Sequence, residues 1–172
     1  MPAIAKKKPT IALQRTRHPL PETQRVEVVR ALAPLQTGSI ELYLQLKNAH
    51  WNVRGNAFGS LHRIFDETSQ ELSEIVDNLA ERMAIVGGEP LATIQKLTAV
   101  PQLADAPTGM RAQEEFIKLV VDRLSYYIQL VRDSIDVFER YNDRVTADAC
   151  VRACSALEKK LWMIESHSVS KA

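Results

Sequence analysis

The sequence predicts an all-α fold: four long helices joined by two short connections and one long crossover. Three observations predict it. Apolar residues recur at the helical period in four separate stretches. No stretch alternates apolar and polar residues as a half-buried strand does, and no internal repeat stands out. Proline and glycine cluster between the stretches, where they interrupt helices. At 172 residues the chain is one domain of ordinary size, long enough to bury a sizeable core.

The first helix is expected over residues 22–53, after Pro21. Val26, Val29, Leu32, Ile40, Leu44 and Leu46 supply its apolar face. Pro34 and Gly38 disfavour a helix interior, so a kink or a broken start is expected there. The turn Arg54-Gly55-Asn56-Ala57 leads to the second helix, residues 58–86, which Gly87-Gly88-Glu89-Pro90 stops. Residues 89–110 hold Pro90, Pro101, Pro107 and Gly109 and form the crossover, with at most a short helix in it. The third helix spans residues 111–141, with Phe116, Val120, Leu124, Tyr127, Val131, Ile135 and Phe138 on its apolar side. The last runs over residues 147–167, with Thr146 as N-cap. This connectivity is that of a ferritin-like four-helix bundle. The chain therefore divides into a flexible basic tail (residues 1–21), the bundle (22–168) and a short C-terminal tail (169–172).

Composition excludes some classes. Apolar residues make up 45% and charged residues 25%, as in an ordinary soluble globular protein. No apolar run reaches the length of a membrane span, and no export signal is visible, so a cytoplasmic protein is expected. Cys150 and Cys154 lie one helical turn apart without CxxC spacing, which suits reduced, semi-buried side chains rather than a zinc site.

Charge is unevenly spread. Five of the 22 basic residues, Lys6, Lys7, Lys8, Arg15 and Arg17, sit in residues 1–21 with no acid, so 17 face 21 acids on the remainder, a balance of −4. A basic, proline-containing arm on an acidic body reads as a tail that could bind polyanions such as nucleic acid. A solubilising tail or a transit peptide would also be basic, although the segment lacks the Ser-rich amphipathic pattern of the latter. In an assembly, many tails would act together.

The second helix carries the chemistry. His62 and Asp66 are one turn apart on one face, and so are Asp77 and Glu81. The two pairs are mirror images about the bond between Glu71 and Leu72. They share a face but lie about 16 Å apart along the axis, whereas metal–ligand bonds span only about 2 Å. One helix cannot bring both pairs to one ion, but two antiparallel copies can. A two-fold axis at the mirror point would set His62 beside Glu81 of a second chain. The apolar stripe of the same helix, Leu61, Phe65, Leu72, Ile75, Leu79, Met83 and Val86, centres roughly 150° away. Small residues on the ligand face, Ser69, Ser73, Ala80 and Ala84, would let another helix approach. A solvated polar face is the alternative, and it does not explain the mirrored spacing.

His50 lies near the end of the first helix, where antiparallel packing would bring it alongside His62 or Asp66; a capping or core role is the alternative. Trp51 beside it is by default a packing anchor. Two imidazoles with three carboxylates suit iron, and manganese or zinc could also bind. Carboxylates from two chains repel one another when buried together unless a cation joins them. The usual di-iron bundle builds its site from Glu-x-x-His pairs within one subunit. No Glu-x-x-His occurs here, which disfavours that arrangement.

Three motifs now carry a resemblance: Ala49-His50-Trp51-Asn52-Val53-Arg54-Gly55, Leu61-His62-Arg63-Ile64-Phe65-Asp66-Glu67, and Asp77-Asn78-Leu79-Ala80-Glu81-Arg82 followed by Gly87-Gly88. Together they resemble the Dps family, the DNA-binding proteins from starved cells, or mini-ferritins. The resemblance extends from the basic tail to the closing Leu161-Trp162-Met163-Ile164-Glu165-Ser166. It implies a hollow dodecameric shell that oxidises Fe2+, preferably with hydrogen peroxide, and stores ferric (Fe3+) mineral inside. By matching positions, His50, His62 and Asp66 would come from one chain and Asp77 and Glu81 from its two-fold mate. Trp51 matches a tryptophan that intercepts oxidising equivalents beside the site. Glu139, Asp143 and Asp148 resemble the acidic three-fold pore of the family, with Arg144 among them as a departure. Capping and dipole stabilisation of the last helix would equally explain those acids.

Two functions follow from separable residues. The five ligand candidates imply an iron-oxidising, iron-storing enzyme. Residues 1–21 imply a nucleoid-associated shell that shields DNA physically. A third expectation, a metal-free structural bundle, uses neither.

Overall fold

A computed structural model describes residues 11–91, 93–110 and 112–168. Among the described residues the secondary structure is helical, with no strand: α1 (Glu22–Asn52), α2 (Phe58–Ile85), the short α3 (Ile94–Ala99), α4 (Gln113–Arg140) and α5 (Arg144–Glu165). The four long helices pack in a ring, α1 on α2, α2 on α5, α5 on α4 and α4 on α1. Cross-links fix their directions. Lys47 meets Asp66, Tyr127 meets Leu35 while Arg123 meets Gln45, and Lys160 meets Glu67 while Arg82 meets Thr146. Each ring neighbour therefore runs antiparallel, which leaves α2 and α4 parallel across the diagonal. Their connection must travel the length of the bundle, which is why it is long. Three α1 side chains hold it down. Gln36 bonds both backbone groups of Leu91, Glu41 accepts from the N–H groups of Gln102 and Leu103, and Gln45 donates to the Ala104 carbonyl. No described helix is long and apolar enough to cross a membrane.

The expected apolar stripe of α2 is buried throughout, from Leu61 to Val86. On α4 the expected set is buried too, with Ile135 partly so. The first helix differs from expectation. It packs against both α2 and α4, so its core residues cover two faces: Val28, Val29, Leu32, Leu35, Leu42, Leu46 and Ala49. Leu44 falls outside both and is 53% exposed. Nor does α1 break at Pro34 or Gly38; it runs continuously through both. A Cβ at Gly38 would sit 3.2 Å from the Tyr127 ring, so the glycine admits that ring, and the Tyr127 hydroxyl donates to the Leu35 carbonyl at 3.0 Å. Packing across the helix outweighs the local propensity loss of about 1 kcal/mol for a helical glycine.

The start of α5 also departs from expectation. Its N-cap is Asp143, which accepts from the Thr146 N–H at 3.2 Å, so Thr146 lies inside the first turn instead of capping it. Asn142 takes a positive φ of 60° to end α4, and the Asp143 N–H closes back on the Phe138 carbonyl at 2.9 Å. Cys150 and Cys154 are free and buried in the core. Burial pushes the Cys150 thiol up to about 12, and burial beside Glu158 raises that of Cys154.

The described part of the basic tail, residues 11–20, is not helical but lies docked on the bundle. Ile11, Leu13 and Leu20 pack on the core, and the Gln14 N–H donates to the Gly87 carbonyl at 2.7 Å. Lys6, Lys7 and Lys8 lie outside the described residues, as do residues 169–172.

Candidate metal centre

The turn between α1 and α2 positions the two histidines. Gly55 takes φ +136°, and a Cβ there would lie 2.4 Å from Gln113 Oε1, which accepts from the Ala57 N–H at 2.9 Å. This tight reversal sets the last turn of α1 against the first turns of α2. The His50 and His62 rings stack with centroids 3.8 Å apart and planes 22° apart. Each ring bonds the other residue's backbone: His50 Nδ1 lies 2.7 Å from the His62 carbonyl, and His62 Nδ1 lies 2.9 Å from the His50 carbonyl. A carbonyl oxygen can only accept, so both Nδ1 atoms donate. In the neutral rings both Nε2 atoms then carry the lone pair. That is the tautomer a metal ligand needs, fixed here by backbone oxygens.

Asp66 stands next to this pair, with Oδ1 4.0 Å from His50 Nε2. Its partner is one the sequence reading missed. Lys47 Nζ lies 2.7 Å from Asp66 Oδ1, and Gln70 Nε2 donates to Oδ2 at 3.0 Å. The Lys47 hydrogen bond holds the Asp66 carboxyl below the usual carboxylate range. Lys47 precedes His50 by three residues on the same helix, so helical spacing alone would have put it beside the site. The same ammonium lies 5.9 Å above the Trp51 ring. Trp51 itself is 62% exposed, so it is no core anchor among the described residues.

Asp77 and Glu81 lie exposed further along α2, without a side-chain hydrogen bond or ion pair among the described residues. Of the small residues expected on this face, Ser73 and Ala84 are exposed and Ala80 half-buried, whereas Ser69 is buried and bonds the Asp66 carbonyl. Within one chain, no group of three or more His, Cys, Asp or Glu side chains gathers as a metal cage among the described residues.

The three acids of the expected pore separate. Asp143 is only 4% exposed. It pairs with Arg82 Nη2 at 3.2 Å and accepts from the Thr146 hydroxyl at 2.6 Å. Its charge is thus spent inside the bundle. Asp148 is exposed and pairs with Arg152. Glu139 and Asp148 line one concave patch together with Asn142, Arg144, Ala147 and Val151. Arg15 and Arg17 are exposed on the docked segment.

Comparison with known proteins places this geometry in a family. A ferritin-like domain matches residues 29–169. The DNA protection during starvation protein of Brevibacillus brevis is 35% identical over 127 residues, covering 74% of this chain and 85% of that protein. That of Agrobacterium fabrum is 28% identical over 158 residues, covering 92% of this chain and 98% of that protein. Among solved structures, a Dps protein from Bacillus brevis superposes with a TM-score of 0.79 at 32% identity, covering 84% of this chain and 97% of the other. The ring of four antiparallel long helices, the long crossover with its short α3 and these matches agree: the chain belongs to the Dps family of ferritin-like proteins.

Proposed function

We propose that this protein oxidises ferrous iron at sites completed by two antiparallel copies of α2, and stores the ferric product in a hollow homo-oligomeric shell of the dodecameric kind. Iron is substrate and cargo; hydrogen peroxide is the preferred oxidant. The observation that carries the proposal is the locked pair of histidines. Their Nε2 lone pairs are preset beside a carboxylate that already attracts a cation, the Lys47 ammonium at 2.7 Å. In this reading a divalent cation replaces that ammonium on Asp66. Asp77 and Glu81, unpaired within the described chain, are the carboxylates available to a neighbouring copy. Zinc or manganese suits the same donors.

In this mechanism His50, His62 and Asp66 of one chain and Asp77 and Glu81 of its mate bind Fe2+. Two ferrous ions, paired or in sequence, each give one electron to a peroxide molecule, which with two protons becomes two waters, so that two Fe3+ form without release of hydroxyl radical. The backbone carbonyls of His50 and His62 hold the rings through the reaction. The exposed Trp51, beside Lys47, is placed to take up stray oxidising equivalents. Iron would enter past Glu139 and Asp148, with Asp143 adding nothing to that path. Crystals soaked with Fe2+ test the proposal: anomalous scattering should locate iron between these five side chains. Iron found elsewhere, or absent from the α2 face, would overturn it.

A second reading, DNA shielding through the basic tail, is favoured by the names of the relatives and by the exposed Arg15 and Arg17. It implies a cytoplasmic, nucleoid-associated protein. Deletion of residues 1–18 should abolish DNA retention in a low-salt gel-shift assay, because phosphate contacts dominate such binding. Unchanged retention would assign DNA to another surface. Deletion of residues 1–10 alone would leave the docked segment in place and separate the contribution of Lys6, Lys7 and Lys8 from that of Arg15 and Arg17.

A further inference from the structure

The docked segment is held at a point rich in buried charge. Gly87, at φ +92°, follows α2, and its carbonyl receives the Gln14 N–H. A Cβ at Gly87 would lie 2.8 Å from both Arg25 Nη1 and the Gln14 carbonyl, so the segment approaches α2 closely. Buried Arg25 ties the parts together. Its Nη1 donates to the Val86 carbonyl at 2.9 Å and its Nε to the Leu20 carbonyl at 3.2 Å.

His18 sits between these anchors. The Leu20 N–H donates to His18 Nδ1 at 3.2 Å. A backbone N–H can only donate, so Nδ1 must be unprotonated and the ring neutral. The charged groups facing the ring are Arg25 from α1, Arg82 from α2 and Asp143 from the turn before α5. Asp143 is already engaged by Arg82 and Thr146. A proton on Nδ1 would set donor against donor at Leu20 and add a cation where two guanidinium groups face a single carboxylate.

We propose that residues 11–20 form a proton-released latch, docked while His18 is neutral and freed when His18 takes up a proton. Burial, then Arg82, lowers the His18 pKa from its ordinary 6.5, in keeping with this geometry. The sign follows from linkage. The docked state binds fewer protons than the released one, so docking is fully favoured above 6.5 and weakens as pH falls through and below that value. The latch needs no iron chemistry. Its bearing on DNA rests on the proposed role of the tail: release would free Arg15 and Arg17.

Hydrogen–deuterium exchange on the full-length assembly, without DNA, tests the latch. After correction for intrinsic rates, the Gln14 and Leu20 amides should exchange severalfold faster at about pH 5.5 than at about pH 7.5, the change being bounded at about tenfold by one pH unit of histidine titration. Two neutral replacements that keep an acceptor, His18→Asn and His18→Gln, follow. At least one should stay protected at the lower pH. Equal protection of the wild type at both values overturns the proposal, and so does acid-induced exposure in both neutral variants. Because the readout contains no DNA, its failure is distinct from failure of the tail to bind DNA.

Discussion

Replacing His50 and His62 together with Ala should lower the initial rate of peroxide-driven Fe2+ oxidation by at least about 100-fold, or about 2.7 kcal/mol of barrier. The expectation follows from the locked tautomers. Loss of both Nε2 donors leaves Asp66 as the one side chain that this half of the proposed site would still offer, and Lys47 is already bonded to it. The rings are half-buried at the end of a helix pair, and their hydrogen bonds go to each other's backbone, so the bundle should survive the change. Shell size by light scattering and DNA retention should match the wild type, which separates loss of the site from loss of the fold. Oxidation at the wild-type rate in an intact double variant would remove the histidine pair from the chemistry.

Asp143→Ala should give the largest loss of stability. It strips a charge partner from Arg82, whose side chain is only 13% exposed, and removes the α5 N-cap. Breaking a buried ion pair from one side costs about 3–5 kcal/mol, because the other charge stays buried without its partner. For a chain of this size that corresponds to a fall in Tm of about 6–20 °C at fixed protein concentration. Asp143→Asn keeps an acceptor for the Thr146 N–H and should fall between the two. The loss in Asp143→Asn reports the charge, and the further loss in Asp143→Ala reports the cap and hydroxyl contacts. A Tm unchanged in Asp143→Ala would mean that Arg82 finds water or another partner at no cost.

These two sites show what a single sequence makes legible. That His62, Asp66, Asp77 and Glu81 share a face of α2 is legible because helical spacing alone determines which residues share a face, and the burial of the apolar stripe opposite it fixes the register. The pairing of His50 with His62 was readable only as proximity. The stack itself depends on how tightly Gly55 lets the chain reverse against Gln113, a residue 58 positions later. Lys47 was visible at helical spacing but reads as one more surface cation until Asp66 is seen beside it. Asp143 was misleading for a physical reason. An acid near two others reads as exposed, and its partner Arg82 lies 61 residues away in the chain. Leu44 was misplaced because α1 buries two faces, which blurs the single stripe that periodicity detects.

The two buried cysteines bear on endurance. A thiol must ionise and be reachable to be attacked by peroxide. Cys150 and Cys154 meet neither condition, since both are sealed in the interior and their ionisation is pushed upward. A shell that handled peroxide as proposed could therefore run through repeated oxidant exposure with its sulfur intact, sparing itself the sulfenic and sulfinic damage that would otherwise accumulate with each cycle.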